Sequence, residues 1–119
     1  MEATLSDTFN LTLEEHDAYA VIRTEGYVND IGGEKISETA DRLIETGIRK
    51  LIINFEKSNV VNSIGISILI EVIEKIVDVD GRICFCFLTK TIAKTFNIMG
   101  LTQYAEIYDT EEDAVASVA

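Results

Sequence analysis

Proline is absent from the 119 residues, histidine occurs once, cysteine occurs twice, and acidic side chains outnumber basic ones 21 to 10. Each shortage removes a class of protein. Without proline there is no proline-rich linker, and no repeat, low-complexity run or other linker interrupts residues 1–119, which read as one domain. The deficit of lysine and arginine leaves a net charge of −11, which repels a phosphate backbone and excludes a nucleic-acid binder built on a broad basic surface. No apolar run approaches the roughly 18 to 20 residues of a membrane span, so no membrane partner is expected. The opening residues, MEATLSDTFN, have neither the basic start nor the apolar core of a signal peptide. A soluble, cytoplasmic protein is expected.

Scarce cysteine and histidine narrow the chemistry. Cys84 and Cys86 stand in Ile83-Cys84-Phe85-Cys86-Phe87, and positions two apart on a strand share a face. The CxC spacing suits neither a redox pair nor a zinc finger, so both read as buried structural thiols. His16 lies in a Glu-Glu-His-Asp turn, where a metal site would need carboxylates from elsewhere. A nucleophile–histidine enzyme would have to be built on His16 alone. No catalytic residue, metal or cofactor is expected. What is plentiful is ordinary globular material, with 47% hydrophobic and 26% charged residues.

Asp7 to Leu13 alternates, with Phe9, Leu11 and Leu13 on one face, and Tyr19 to Thr24 alternates after the turn at Glu14 to Asp17. The two read as a hairpin. Gly26 ends the second strand and Tyr27 to Gly33 reads as a loop rich in turn residues. Helical spacing of Ile36, Ala40, Leu43 and Ile44 predicts a helix over Glu34–Thr46, closed at Gly47. Leu51 to Phe55 reads as a strand buried on both faces. A second helix follows from near Ile64 to Val77, with Ile66, Leu69, Ile70, Ile73, Ile76 and Val77 as its core stripe. Then come a strand over Arg82–Leu88, a helix capped by Thr89 that carries Ile92, Ala93, Phe96 and Met99, a strand over Tyr104–Tyr108, and a last helix behind Thr110. The fold class is α/β, a mixed sheet of about five strands with about four helices packed on it.

The segment that carries chemistry is Asn59-Val60-Val61-Asn62-Ser63-Ile64-Gly65-Ile66-Ser67, which joins a buried strand to a helix. Ser63 stands at or next to the helix N-cap, where unpaired backbone N–H groups and the helix dipole stabilise an anion. It reads either as a plain capping residue or as a hydroxyl that can carry a phosphate without help from a basic side chain. A P-loop is excluded, since no Gly-Lys-Ser/Thr follows. Ile64 and Ile68 fall beside the polar face of the helix; they are either core in a wide stripe or an exposed partner-binding patch.

With these residues in view, the chain from about Phe9 to Val118 resembles the STAS domains of bacterial anti-sigma factor antagonists. A Gly-x-Leu-Asp-like loop after the second strand is similar to Gly26-Tyr27-Val28-Asn29, and a hydrophobic strand ending in Asp-x-Ser/Thr is similar to Ile52 through Ser58. The phosphorylated Asp-Ser-Ser/Thr-Gly-Leu motif falls on Asn62-Ser63-Ile64-Gly65-Ile66, with Asn62 in place of the aspartate and Ile64 in place of the second hydroxyl residue. Gly100-Leu101 and Thr110-Glu111-Glu112-Asp113-Ala114 match the late motifs. The resemblance implies a regulator with no catalysis of its own. Its unmodified form binds an anti-sigma factor, often a serine kinase; phosphorylation of Ser63 releases that partner, and a PP2C-type phosphatase restores binding. Gly26, Asn29, Asp30, Asn62, Ile64 and Gly65 border the docking surface by the same resemblance, Ile68 joins them on the exposed-patch reading, and the free protein is expected to be monomeric. The runner-up is a STAS scaffold of a stressosome-like assembly in which Ser63 only caps its helix. A small enzyme or small-molecule binder using the acidic residues is the third reading, and no convergent carboxylate pair with an activated nucleophile supports it.

Overall fold

The computed structural model describes residues 8–119; the expected strand start at Asp7 and the leader reading of the first residues lie outside that range. Strand β1 (Phe9–Glu15) turns back into β2 (Ala20–Gly26), and the chain then alternates through α1 (Asp30–Glu45), β3 (Lys50–Lys57), α2 (Ser63–Asp78), β4 (Arg82–Cys86) and α3 (Lys90–Ile98). A 3-10 turn (Leu101–Gln103), β5 (Ala105–Tyr108) and α4 (Glu111–Val118) complete it. The five strands lie side by side in chain order, β1 antiparallel to β2 and every later neighbour parallel. The mixed sheet with four helices is the architecture the alternation predicts.

The pleat sorts the core into two layers. Ala20, Ile22, Leu51, Ile53, Phe55, Ile83 and Phe85 face one way, into the layer holding Ile36, Ala40 and Leu43 of α1, Leu69, Val72, Ile73 and Ile76 of α2, and Phe96 of α3. Phe85 meets Phe55 and Phe96 edge to face at 5.9 and 5.0 Å between ring centres, which fixes α3 over the sheet. Val21, Ile52, Cys84 and Cys86 point the other way and are covered by Ala114 and Val118 of α4. Both thiols are free and buried, and burial pushes them up to about 11 and about 12.

Helix α4 brings little apolar surface and is pinned by charge instead. Arg23 donates two bonds to Glu111, at 2.9 and 2.7 Å, and Asn54 donates a third at 2.9 Å. At the other end Arg82 donates to both Glu106 oxygens, at 2.8 and 2.6 Å, and to the Ser117 carbonyl at 2.8 Å. These donors hold the Glu111 and Glu106 carboxyls below the usual carboxylate range.

Several boundaries move from their expected places. Helix α1 begins at Asp30 rather than Glu34, because Asn29 caps it and Gly32 and Gly33 lie within its first turns. Strand β4 stops at Cys86 rather than Leu88, since Phe87 turns left-handed at φ 59°. Strand β5 begins at Ala105, because Tyr104 donates to Leu101 and closes the 3-10 turn. On α2 the buried positions are Gly65, Ile68, Leu69, Val72, Ile73 and Ile76. That stripe is rotated by about one residue from the expected one. It leaves Ile66 and Ile70 half-buried and Val77 exposed, and it buries Val72. Met99, expected on the buried side of α3, is also exposed.

Candidate functional site

Strands β2 and β3 are parallel, so the helices that follow them start at the same end of the sheet. Open parallel sheets place their binding sites beyond the carboxyl ends of the strands. Here the two connections are tied together by an isolated parallel bridge between Val28 and Val61. Val28 N donates to the Val60 carbonyl at 3.0 Å, and Asn62 N donates to the Val28 carbonyl at 3.1 Å. From this clasp α1 and α2 emerge with the same local construction.

Asn29 accepts from the Gly32 N–H at 3.1 Å and Asn62 accepts from the Gly65 N–H at 2.7 Å, so each asparagine is the N-cap of its helix. The sequences match as well: Val28-Asn29-Asp30-Ile31-Gly32 against Val61-Asn62-Ser63-Ile64-Gly65. This is a short internal echo in a chain read as free of repeats. The third residue after each cap is a glycine for lack of room. A β-carbon on Gly65 would run into the Val28 carbonyl of the clasp, and one on Gly32 would lie 2.9 Å from the Tyr27 carbonyl oxygen and 2.8 Å from the Phe9 ring.

Ser63 is therefore the first helical residue and not the cap. Among the described residues its hydroxyl has no hydrogen-bond partner, while its carbonyl accepts from Ser67 Oγ at 3.1 Å. The side chain is exposed, and the first turn of α2 holds no acidic residue. Its counterpart in α1 is Asp30, a carboxylate at the equivalent position. The positive end of the α2 dipole is left open beside an accessible hydroxyl.

Around the clasp the second position of each helix is a large exposed apolar side chain, Ile31 at 56% and Ile64 at 53%, and Val60 beside the bridge is 57% exposed. Ile64 thus belongs to the surface. Ile68 does not: it is 8% exposed and packs on Gly33 of α1, so its part is to hold the two helices together. Gly65 is likewise buried, Asn29 and Asn62 are half-buried, Asp30 is exposed, and Gly26 bends the chain out of β2 at φ 107°. Ile31 and Val60 were not legible as site residues. The echo of the two pentapeptides is the signal that pairs Ile31 with Ile64.

The motif residues upstream are structural. Asn54 is buried and accepts from the Glu56 N–H at 2.8 Å, and Ser58 is fully buried against the Thr24 hydroxyl at 2.7 Å. They lock the end of β3 from which the Ser63 loop departs. Among the described residues no three histidine, cysteine or acidic side chains converge as metal ligands, and no helix is long and apolar enough to cross a membrane.

Comparison with known proteins adds the following. BtrV of Bordetella bronchiseptica, which carries the name of an anti-sigma factor antagonist, is 21% identical over 107 residues, covering 90% of this chain and 92% of its own. The phosphorylated form of the Bacillus cell fate determinant SpoIIAA superposes with a TM-score of 0.76 at 26% identity, covering 92% of this chain and 100% of that one. The unphosphorylated form of the anti-sigma factor antagonist SpoIIAA gives 0.77 at 25% identity, covering 92% and 97%. The STAS domain model matches residues 10–114, which takes in both helix starts and the clasp between them, and the chain belongs to the STAS domain family.

Proposed function

We propose that this protein is an anti-sigma factor antagonist that switches partners through phosphorylation of Ser63. The observation that carries this reading is an exposed, uncommitted hydroxyl at the first position of an Asn-capped helix whose first turn has no acid, set among exposed apolar side chains. Support comes from SpoIIAA, solved in both unphosphorylated and phosphorylated forms on this fold. The capping alternative loses its ground, because Asn62 supplies the cap.

In the unmodified state Ile31, Val60 and Ile64 form the apolar centre of a docking face for an anti-sigma factor with serine-kinase activity. That enzyme transfers the γ-phosphoryl of ATP: the Ser63 Oγ–P bond forms, the bond to the ADP oxygen breaks, and the hydroxyl proton leaves to solvent or to the enzyme. The product gains about −1.5 to −2 charge and three strong acceptor oxygens. The open N–H groups of α2 accommodate this group in the free protein. In the docked complex it would lie against an apolar face, and a loss of about 3 kcal/mol there weakens binding more than a hundredfold. A PP2C-type phosphatase hydrolyses the Oγ–P bond and restores the binding form.

Incubation with the cognate kinase and ATP tests this. One phosphoryl mass is expected on the wild type and none on Ser63→Ala. Mass on another residue, or none with a kinase shown to bind, overturns the assignment.

A further inference from the structure

A second unpartnered surface lies along the C-terminal half of α2, about 10 to 22 Å along the helix axis from Ser63. There the last turns of α2 and the chain around the 3-10 turn enclose an open groove of about 220 Å³. Ile70, Ile73 and Leu101 supply its floor, and Val77 and Tyr104, both exposed, form apolar walls. Ile98 and Met99, which lead the chain into this turn, are exposed as well, Ile98 at 73%. Small-molecule sites usually enclose about 300 to 1,000 Å³, so this groove suits one large side chain rather than a metabolite.

Charge selects the occupant. Glu74 and Asp78 line the groove, and among the described residues neither forms a salt bridge. Lys75, the cation of this end of α2, is held by α1, at 3.0 Å from Asp41 and 2.7 Å from Ser37. A second copy of this chain would bring the same two carboxylates and a net charge of −11 onto this acidic rim. We propose that the groove is a docking surface for a basic amphipathic segment of a partner protein, one large apolar side chain filling it and flanking lysines or arginines meeting Glu74 and Asp78. This surface lies on the Ser63 side of α2 but toward the opposite end of the helix.

The test is an NMR titration of the ¹⁵N-labelled protein with a synthetic helical peptide of about 15 residues, leucine on one face and lysine on the other. Two controls accompany it: a scrambled peptide of the same composition and a leucine–glutamate analogue. Saturable shifts centred on Ile70, Val77, Leu101 and Tyr104 are expected with the amphipathic basic peptide alone, while the resonances of Ser63 and Ile64 stay in place. Glu74→Lys combined with Asp78→Lys, both at exposed positions, should weaken binding about tenfold or more. Four results would overturn the proposal: no saturable shift, equal shifts with the scrambled peptide, shifts centred on Ile31, Val60 and Ile64, or groove resonances that move on dilution without peptide, the mark of a second copy.

Discussion

Two helices of this protein start from nearly the same five residues, and the one difference between them separates a fixed charge from a convertible one. At Val28–Gly32 and Val61–Gly65 the valine clasp, the asparagine cap, the exposed isoleucine and the space-limited glycine recur. Asp30 then stands where the other helix has Ser63. The α1 start shows that a carboxylate at this position is compatible with the clasp, and a negative group at a helix N-terminus is favourable. A phosphate on Ser63 would give α2, like α1, a negative group in its first turn. On the proposed reading its cost falls on docking and not on folding.

The sharpest way to break the comparison is through the glycines. Gly65→Ala forces a β-carbon against a backbone carbonyl of the clasp, and a loss of about 1–3 kcal/mol is expected in denaturant unfolding. Gly32→Ala should cost less, because one of its neighbours, the Phe9 ring, can turn aside. Equal or negligible losses would show that the clasp is looser than drawn. Next come the caps: Asn62→Ala and Asn29→Ala should each lower stability by about 1 kcal/mol, and Ser63→Ala should leave it nearly unchanged. A loss from Ser63→Ala as large as that from Asn62→Ala would return Ser63 to a capping role.

Smaller still is the exchange of the differing residue. Ser63→Asp should hold or raise stability by about 0.3–1 kcal/mol, while Asp30→Ser should lower it by a similar amount. A Ser63→Asp variant that melts well below wild type would contradict the equivalence of the two starts.

A third helix start is that of α4, whose first turn carries Glu111, Glu112 and Asp113 and whose docking rests on ion pairs. Glu111 and Glu106 ionise below the usual range when folded, so their stabilisation is complete above the unfolded carboxylate pKa of about 4.3. It is lost as pH falls further, through the depressed folded values. Thermal midpoints should be flat near neutrality and fall below about pH 4, and Glu111→Gln should flatten part of that decline. At neutral pH the stabilisation is fully present and only its pH dependence is silent.

Most of the fold was legible because strands and helices here follow their periods. The buried run Leu51–Phe55 and the CxC strand declared a sheet covered on both faces, and Thr89 and Thr110 marked their helices as caps. The failures came where close packing overrode local preference. Gly32 and Gly33 read as a turn, yet they are helical because α1 must approach Phe9, Tyr27 and Ile68 closely. That cost the first turn of α1, and with it the twin of the Ser63 site. On α2 the helix packs against α1 as well as the sheet, which turns Val72 and Ile68 inward and Val77 outward. A helical projection made without its neighbours has no means of fixing that rotation.

The claim that Ser63 controls docking is tested most directly on the protein as its own cells make it. Affinity-isolated material would be separated into unmodified and phosphorylated fractions by intact mass, the site mapped, and the co-purifying partner quantified in each. The account predicts phosphate on Ser63 and a partner present with the unmodified fraction at more than a hundredfold excess over the phosphorylated one. Phosphate on another residue, or one partner held equally by both fractions, would contradict it.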